Sequence, residues 1–287
     1  MLDLLISGLA IGSVYVLLSL GLVVVFNTTG AVNFAQGGLA VLGGYLGTLM
    51  ASWIDPAVPF IIIFGTLSMA AIGVLVAWTG YEPLKGRPLE AVFISTIAIG
   101  LAIEGIERVG WGPAPRSVLG LGGYWKLGSH TIVTRQDALV VGVTMVLVTS
   151  LFLFYKHTQL GRELRAVAQD ATAAVLVGIN RRKVITIAFI LAGGVAGLAG
   201  VLAGPLVLLT PGLGNTFIID AYIATVIGGF GRLGGSVVGG LLLGVAEIFI
   251  AAYVSSAYEI AIVYMLLLVV LVVRPNGIFG DIVGERS

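Results

Sequence analysis

Side chains able to carry charge or pass a proton are sparse in this 287-residue chain, with 15 Lys and Arg against 14 Asp and Glu. No lysine follows a glycine, so there is no Gly-x-x-x-x-Gly-Lys-Ser/Thr loop to cradle a phosphate. The only histidines, His130 and His157, belong to no His-Glu-x-x-His pair, and cysteine is absent. This pattern argues against a metal centre, a Ser-His hydrolase and disulfides. No enzyme activity and no metal are expected. What remains is chemistry suited to recognising a polar solute. The run "FNTTGAVNFAQGG" supplies Asn27, Asn33 and Gln36, with Asn33 and Gln36 spaced i,i+3. These amides either satisfy backbone groups exposed where a helix starts irregularly or line a path for the solute. Asp220 and Glu247 are isolated carboxylates inside apolar runs. Glu104 and Arg108 stand i,i+4 in the order that favours a helical ion pair.

The elements that position these groups are set by composition. The chain is 58% hydrophobic and 10% charged, with 42 glycines, and its mean hydropathy is +1.10. Residues 4–54, 56–81 and 184–219 contain no Asp, Glu, Lys or Arg. About 20 apolar residues cross a hydrocarbon core, so the pattern predicts a polytopic, all-α transmembrane bundle as one domain over residues 1–287. Spans are expected near 4–26, 31–53, 58–80, 91–110, 138–155, 184–209, 217–230, 236–254 and 259–273. The seventh, "FIIDAYIATVIGGF", is too short for a full crossing and reads as broken or re-entrant, which leaves a count of eight or nine. The first run lacks a basic leader and reads as a span, not a removable signal.

Lys156, Arg162, Arg165, Arg181, Arg182 and Lys183 concentrate in the 156–183 connection, which places that loop in the cytoplasm. Alternation then puts Lys85, Arg87, Arg232 and Arg274 on the same side. The N-terminus, the Asp55 loop and the long 108–136 connection fall outside, the last with "GLGGYWKLG" as an ordered cap. Basic residues so distributed report topology, and no nucleic-acid partner is expected. Gly8/Gly12, Gly43/Gly47, Gly193/Gly197, Gly200/Gly204, Gly235/Gly239 and Gly240/Gly244 have the spacing that lets helices approach closely in lipid. Segments 37–47 and 228–244 share a paired-glycine rhythm of the kind an internal repeat would leave.

Within the cytoplasmic connection, Leu164, Val167, Ala168, Ala171, Ala174 and Val175 recur at helical spacing between Gly161 and Gly178. The expectation is one amphipathic helix over 162–177, serving either to lie on lipid or to dock a soluble partner; Glu163, Asp170 and the small alanine face favour the partner.

This helix, together with "VNFAQGGLAVLGGY", "YEPLKGRP", "ATVIGGFGRLGGSVVGGLLLG" and "LVVRPNGIFG", resembles the branched-chain amino acid ABC transporter permease family (LivH/LivM type), from about residue 2 to 281. The resemblance implies a permease subunit in a bacterial or archaeal cytoplasmic membrane, carrying branched-chain or related amino acids, amides or urea. Its implied partners are two cytoplasmic ABC ATPase subunits, a second, related permease subunit, and a periplasmic or extracellular solute-binding protein. ATP would be bound by the partners, and this chain would hold no cofactor. The segment "GRELRAVAQDATAAVLVGI" corresponds to the family's coupling loop, so Gly161, Arg162, Glu163, Arg165, Ala166, Asp170, Ala173 and Gly178 are implied as ATPase contacts. Asn27, Asn33, Gln36, Asp220 and Glu247 are the candidate pathway residues. Glu82 and Glu104 depart from the family pattern. An ion-coupled transporter or passive channel is the alternative, which the scarcity of mid-span ionisable residues disfavours.

Overall fold

The computed structural model describes residues 1–54, 58–118, 120–127, 131–274 and 277–279; the Asp55 loop and His130 lie outside the described residues. Among the described residues, eleven α-helices and one hairpin follow in the order α1 (Leu2–Thr29), α2 (Gln36–Ile54), α3 (Val58–Val76), α4 (Leu89–Trp111), β1 (Tyr124–Leu127), β2 (Thr131–Thr134), α5 (Arg135–His157), α6 (Gln159–Gln169), α7 (Ala171–Leu176), α8 (Arg181–Ala203), α9 (Leu213–Gly228), α10 (Leu233–Tyr253) and α11 (Glu259–Val273). A π turn and a 3-10 turn carry α3 on to Leu84. Among the described residues, six helices are long and apolar enough to cross a membrane: α1, α3 with its extension, α4, α5, α8 and α10.

Two of these helices form the centre. α1 and α8 are buried over most of their length, α1 against α8, α9 and α10, and α8 against α2 and α3. Glycine makes this closeness possible. A Cβ on Gly12 would lie 2.9 Å from the Gly240 carbonyl oxygen, and one on Gly43 would lie 2.7 Å from the Gly197 Cα. Gly8, Gly12, Gly240 and Gly244 thus join α1 to α10, while Gly43, Gly197 and Gly200 join α2 to α8. With no hydrophobic drive between helices in lipid, backbone approach of this kind supplies the packing.

Two irregular segments interrupt the bundle. Residues 30–35 leave α1 at Gly30 (φ 75) and return along it before α2 begins. Their donors are met locally: Thr29 Oγ1 takes the Ala31 N–H (3.1 Å), Asn33 Oδ1 takes that of Ala35 (3.2 Å), and Thr96 Oγ1 takes that of Phe34 (3.2 Å). Gln36 then donates to the carbonyl of Ala192, midway along α8 (3.0 Å). Residues 204–212 form the second segment, pinned where Leu209 and Arg116 exchange backbone hydrogen bonds of 2.9 Å. Gly214, at the start of α9, packs against Gly37, at the start of α2. The two helices therefore begin against each other inside the bundle, and α9, at 16 residues, is only about 24 Å long. The expected broken seventh segment is this one.

The two ends of the bundle differ. At one end the β1–β2 hairpin caps the start of α1, with Asp3 Oδ1 accepting from the Ile132 N–H (2.8 Å). Lys126 and Arg135 lie over the rings of Tyr124 and Trp125, 5.9 Å to each centroid. At the other end sit α6, α7 and the start of α8. Arg182 pairs with Glu82 (3.3 Å) and Arg181 donates to the Tyr81 hydroxyl (3.4 Å), so the Glu82 departure is an ion pair fastening the α3–α4 turn. Residues 277–279 fold back onto the end of α9, where Ile278 and Phe279 donate to the carbonyls of Ile227 and Gly228.

Candidate functional site

The charged connection is two helices, not the single one expected. Thr158 caps α6 by accepting from the Gly161 N–H (2.9 Å). Asp170 then leaves helical geometry (φ −155, ψ 104) and its carboxylate accepts from the Thr172 and Ala173 N–H groups (2.8 and 2.9 Å), starting α7. An Asp that can cap competes with continuing the helix. Gly161 is not a breaker: it is buried within α6 where a Cβ would lie 2.6 Å from the Tyr155 Cα of α5. Gly178 does terminate α7, at φ 89.

Leu164, Val167 and Ala174 bury one face, while Arg162 and Arg165 are exposed, Ala166 is half-buried, and Ala173 is exposed beside Gly178. Glu163 accepts from the Gln159 side chain (3.1 Å). Val175, expected on the inward face, is 51% exposed, and Leu176 and Val177 are 83% and 78% exposed. Periodicity over a single long helix hid this apolar tip, because restarting at Asp170 changes which residues face out. Against α5 and α6, a cavity of about 430 Å³ is lined by Asn27, Tyr155, Lys156, Arg165 and Arg232 among others. Asn27 is thus at this end of the bundle, donating to the Gly231 carbonyl (2.8 Å), and is not grouped with Asn33 and Gln36.

The remaining pathway candidates occupy two further places. Asp220 is buried in the middle of α9, not at its start, so it does not cap that helix. It interacts electrostatically with Tyr15 of α1 and Glu247 of α10, and the Tyr15 hydroxyl donates to Glu247 Oε2 at 2.5 Å. Asn33 and Gln36 lie instead where α2 begins, and the Gln36 amide is turned to α1 and α8, between Gly21 and Ala192. Both are fully buried, and after the bonds described above Asn33 Nδ2 and Gln36 Oε1 have no partner. The amides therefore meet backbone needs with one atom and leave the other free.

A separate polar seam runs between α2 and α4, where Gly38 meets Gly100 and Tyr45 meets Trp111. Thr96, Gly100, Glu104, Glu107 and Trp111 recur every three or four residues, making one stripe on the helix. Thr96 holds the Phe34 N–H, and Trp111 stacks on Tyr45 of α2 (5.1 Å, 27°). Glu104 accepts from Arg108 (2.6 Å) and from Asn215 near the start of α9 (3.3 Å). A small cavity of about 20 Å³ is lined by Phe34, Gly38, Glu104, Glu107, Gly214 and Asn215 among others. Nearer the hairpin end, Thr48, Gly110, Trp111, Arg116 and Ser117 line a larger one of about 550 Å³. The Tyr45 hydroxyl and Glu107 Oε1 are buried without partners. Buried polar atoms are nearly always bonded to protein or water, so unpartnered groups along one seam mark where water or a solute contacts the protein. Glu107 and Tyr45 were missed in sequence, although the spacing of the α4 stripe was readable there.

A family model described as "Branched-chain amino acid transport system / permease component" matches residues 4–272. The high-affinity branched-chain amino acid transport system permease protein LivH of Salmonella typhimurium is 31% identical, over 96% of this chain and 94% of that protein. The corresponding permease protein BraD of Pseudomonas aeruginosa is also 31% identical, over the same shares. The ribose import permease protein RbsC of Escherichia coli K12 is 28% identical over 81% of this chain and 73% of that one. Among solved structures, PsaBC from Streptococcus pneumoniae in complex with Fab shares the fold, with a TM-score of 0.50 at 16% identity over 97% of this chain and 93% of that one. By the extent of the family match and by these identities, the chain belongs to the branched-chain amino acid transport system permease family.

Proposed function

We propose that this protein is the membrane-spanning permease subunit of an ABC importer that carries branched-chain or related amino acids across a cytoplasmic membrane. Two separate ATPase subunits power it, a second, related permease subunit completes the pathway, and a solute-binding protein delivers the cargo from outside. The hairpin end and the N-terminus face outward; α6, α7 and the C-terminal segment face the cytoplasm, in keeping with the loop lysines and arginines. The observation that carries the reading is the exposed Val175–Val177 tip, in a connection whose Arg162, Arg165 and Arg182 are exposed as well. An apolar tip with a polar rim, on a chain with no phosphate loop, fits a docking site for a subunit that hydrolyses ATP. The seam of Tyr45 and Glu107, with the unpartnered amide atoms of Asn33 and Gln36 buried where α2 begins, supports a solute path with few charges, as expected where the binding protein does most of the selecting.

The test is uptake of L-leucine, L-isoleucine and L-valine into proteoliposomes holding the assembled transporter, with ATP on the side of the ATPases. Uptake dependent on both ATP and the binding protein is expected. Uptake that persists without ATP and collapses with an ion gradient overturns the reading.

A further inference from the structure

Glu107 is the one carboxylate of the seam that nothing compensates. It is 1% exposed, its Oε1 has no hydrogen-bond partner, and it sits one helical turn from Glu104. The nearby side-chain donors are committed elsewhere. Arg108 and the Asn215 amide both go to Glu104, at 2.6 and 3.3 Å. The start of α9 lies against that same carboxylate, since a Cβ on Gly212 would come within 3.4 Å of Glu104 Oε1. The start of α2 is capped by Asn33, whose carbonyl and side-chain oxygens take the Gln36 and Ala35 N–H groups at 3.2 Å each. An acidic group at this depth needs a partner, and the protein withholds one.

The space before Glu107 limits what that partner can be. The cavity holds about 20 Å³, enough for one water-sized group. It is walled by residues without side chains, Gly38, Gly100, Gly212 and Gly214, together with Phe34. An ammonium group matches this volume and charge; a carboxylate or a branched alkyl group matches neither. We propose that Glu107 is the counter-ion for the ammonium group of the transported amino acid, received in the cavity between α4 and the facing starts of α2 and α9. This rests on the import reading above and assigns the solute's amino end to one residue. Glu104, held by Arg108 and Asn215, positions the wall and does not take the cation.

Two substitutions separate charge from space. Glu107→Gln keeps the shape and removes the charge. Gly100→Ala adds a methyl at 3.5 Å from the Phe34 carbonyl oxygen, an ordinary contact that the fold tolerates. In proteoliposomes with the binding protein and ATP, each variant is expected to slow L-leucine uptake about tenfold or more, because a charged group is left unpaired or its seat is filled. Glu107→Asp should retain intermediate uptake, and all three variants should assemble with the ATPases in wild-type yield. Glu107→Gln uptake within about twofold of wild type overturns the proposal. A second readout needs no transport: infrared difference spectra of the assembled transporter in lipid on adding methylammonium. A carboxyl band that moves in wild type and is absent from Glu107→Gln supports the assignment; no movement means that the cavity holds only water and overturns it. A wild type that imports none of the three branched-chain amino acids refutes the import reading, while the infrared experiment still decides the role of Glu107.

Discussion

Truncating Leu176 should weaken ATPase binding without touching the permease fold. The side chain is 83% exposed, so it contributes almost nothing to internal packing, and α7 is anchored through Ala174 instead. Burying a leucine side chain against a partner is worth about 1.5–3 kcal/mol, and an alanine retains a minor part of that. Leu176→Ala should therefore cost about 1.5–2 kcal/mol of docking energy, or about 10–30-fold in Kd. Adding Val177→Ala, at a position 78% exposed, brings the expected loss to about 100-fold. The assay is a titration of the purified cognate ATPases against the permease pair in detergent or nanodiscs, with thermal unfolding of the permease as the control. If the double variant binds within about twofold of wild type, the tip is not the docking surface, and the argument from its exposure fails.

Asp170→Ala removes the acceptor for two N–H groups and should destabilise α7 by about 1 kcal/mol, read as faster amide exchange confined to residues 171–177. Gly200→Leu places a side chain where a Cβ already overlaps the Ala40 carbonyl oxygen, so α2 cannot seat on α8; loss of folded protein in membranes is expected, and normal yield would refute the packing. Tyr15→Phe leaves Glu247 Oε2 without its donor and should cost about 1–3 kcal/mol, measured as a lower midpoint of thermal unfolding. The Arg182–Glu82 pair is partly exposed, so a double-mutant cycle should return only about 0.2–1 kcal/mol of coupling.

Much of this molecule is legible in residue order because lipid is a demanding solvent. Backbone groups out of reach of water must be bonded within the protein, so long charge-free runs such as 4–54 and 184–219 are mostly helix, and their irregular stretches take bonds from Thr96 and Arg116. The basic cluster at 156–183, the glycine pairs and the Glu104–Arg108 spacing likewise act through local rules, and the helices, close contacts and ion pair are all present. The cap at Asp170 was harder to read, since an Asp at a mid-helix position becomes a break only if its carboxylate finds free N–H groups. Missing it concealed the outward turn of Val175–Val177.

The sequence by itself determined the class, the helices, the distribution of charge and the family. Only the tertiary structure decided which polar residues share a site. Asn27, Asn33, Gln36, Asp220 and Glu247 read alike along the chain, yet Asn27 ties down the end of α1, Asp220 and Glu247 gather at Tyr15, and Asn33 and Gln36 are buried where α2 begins, Gln36 against α1 and α8. The reason is that hydropathy reports depth but not azimuth: a carboxylate on an apolar helix must turn inward, and which neighbour it meets depends on how helices cross. Those crossings follow from the return of residues 30–35 into the bundle and the meeting of Gly37 with Gly214, contacts between segments far apart in the chain.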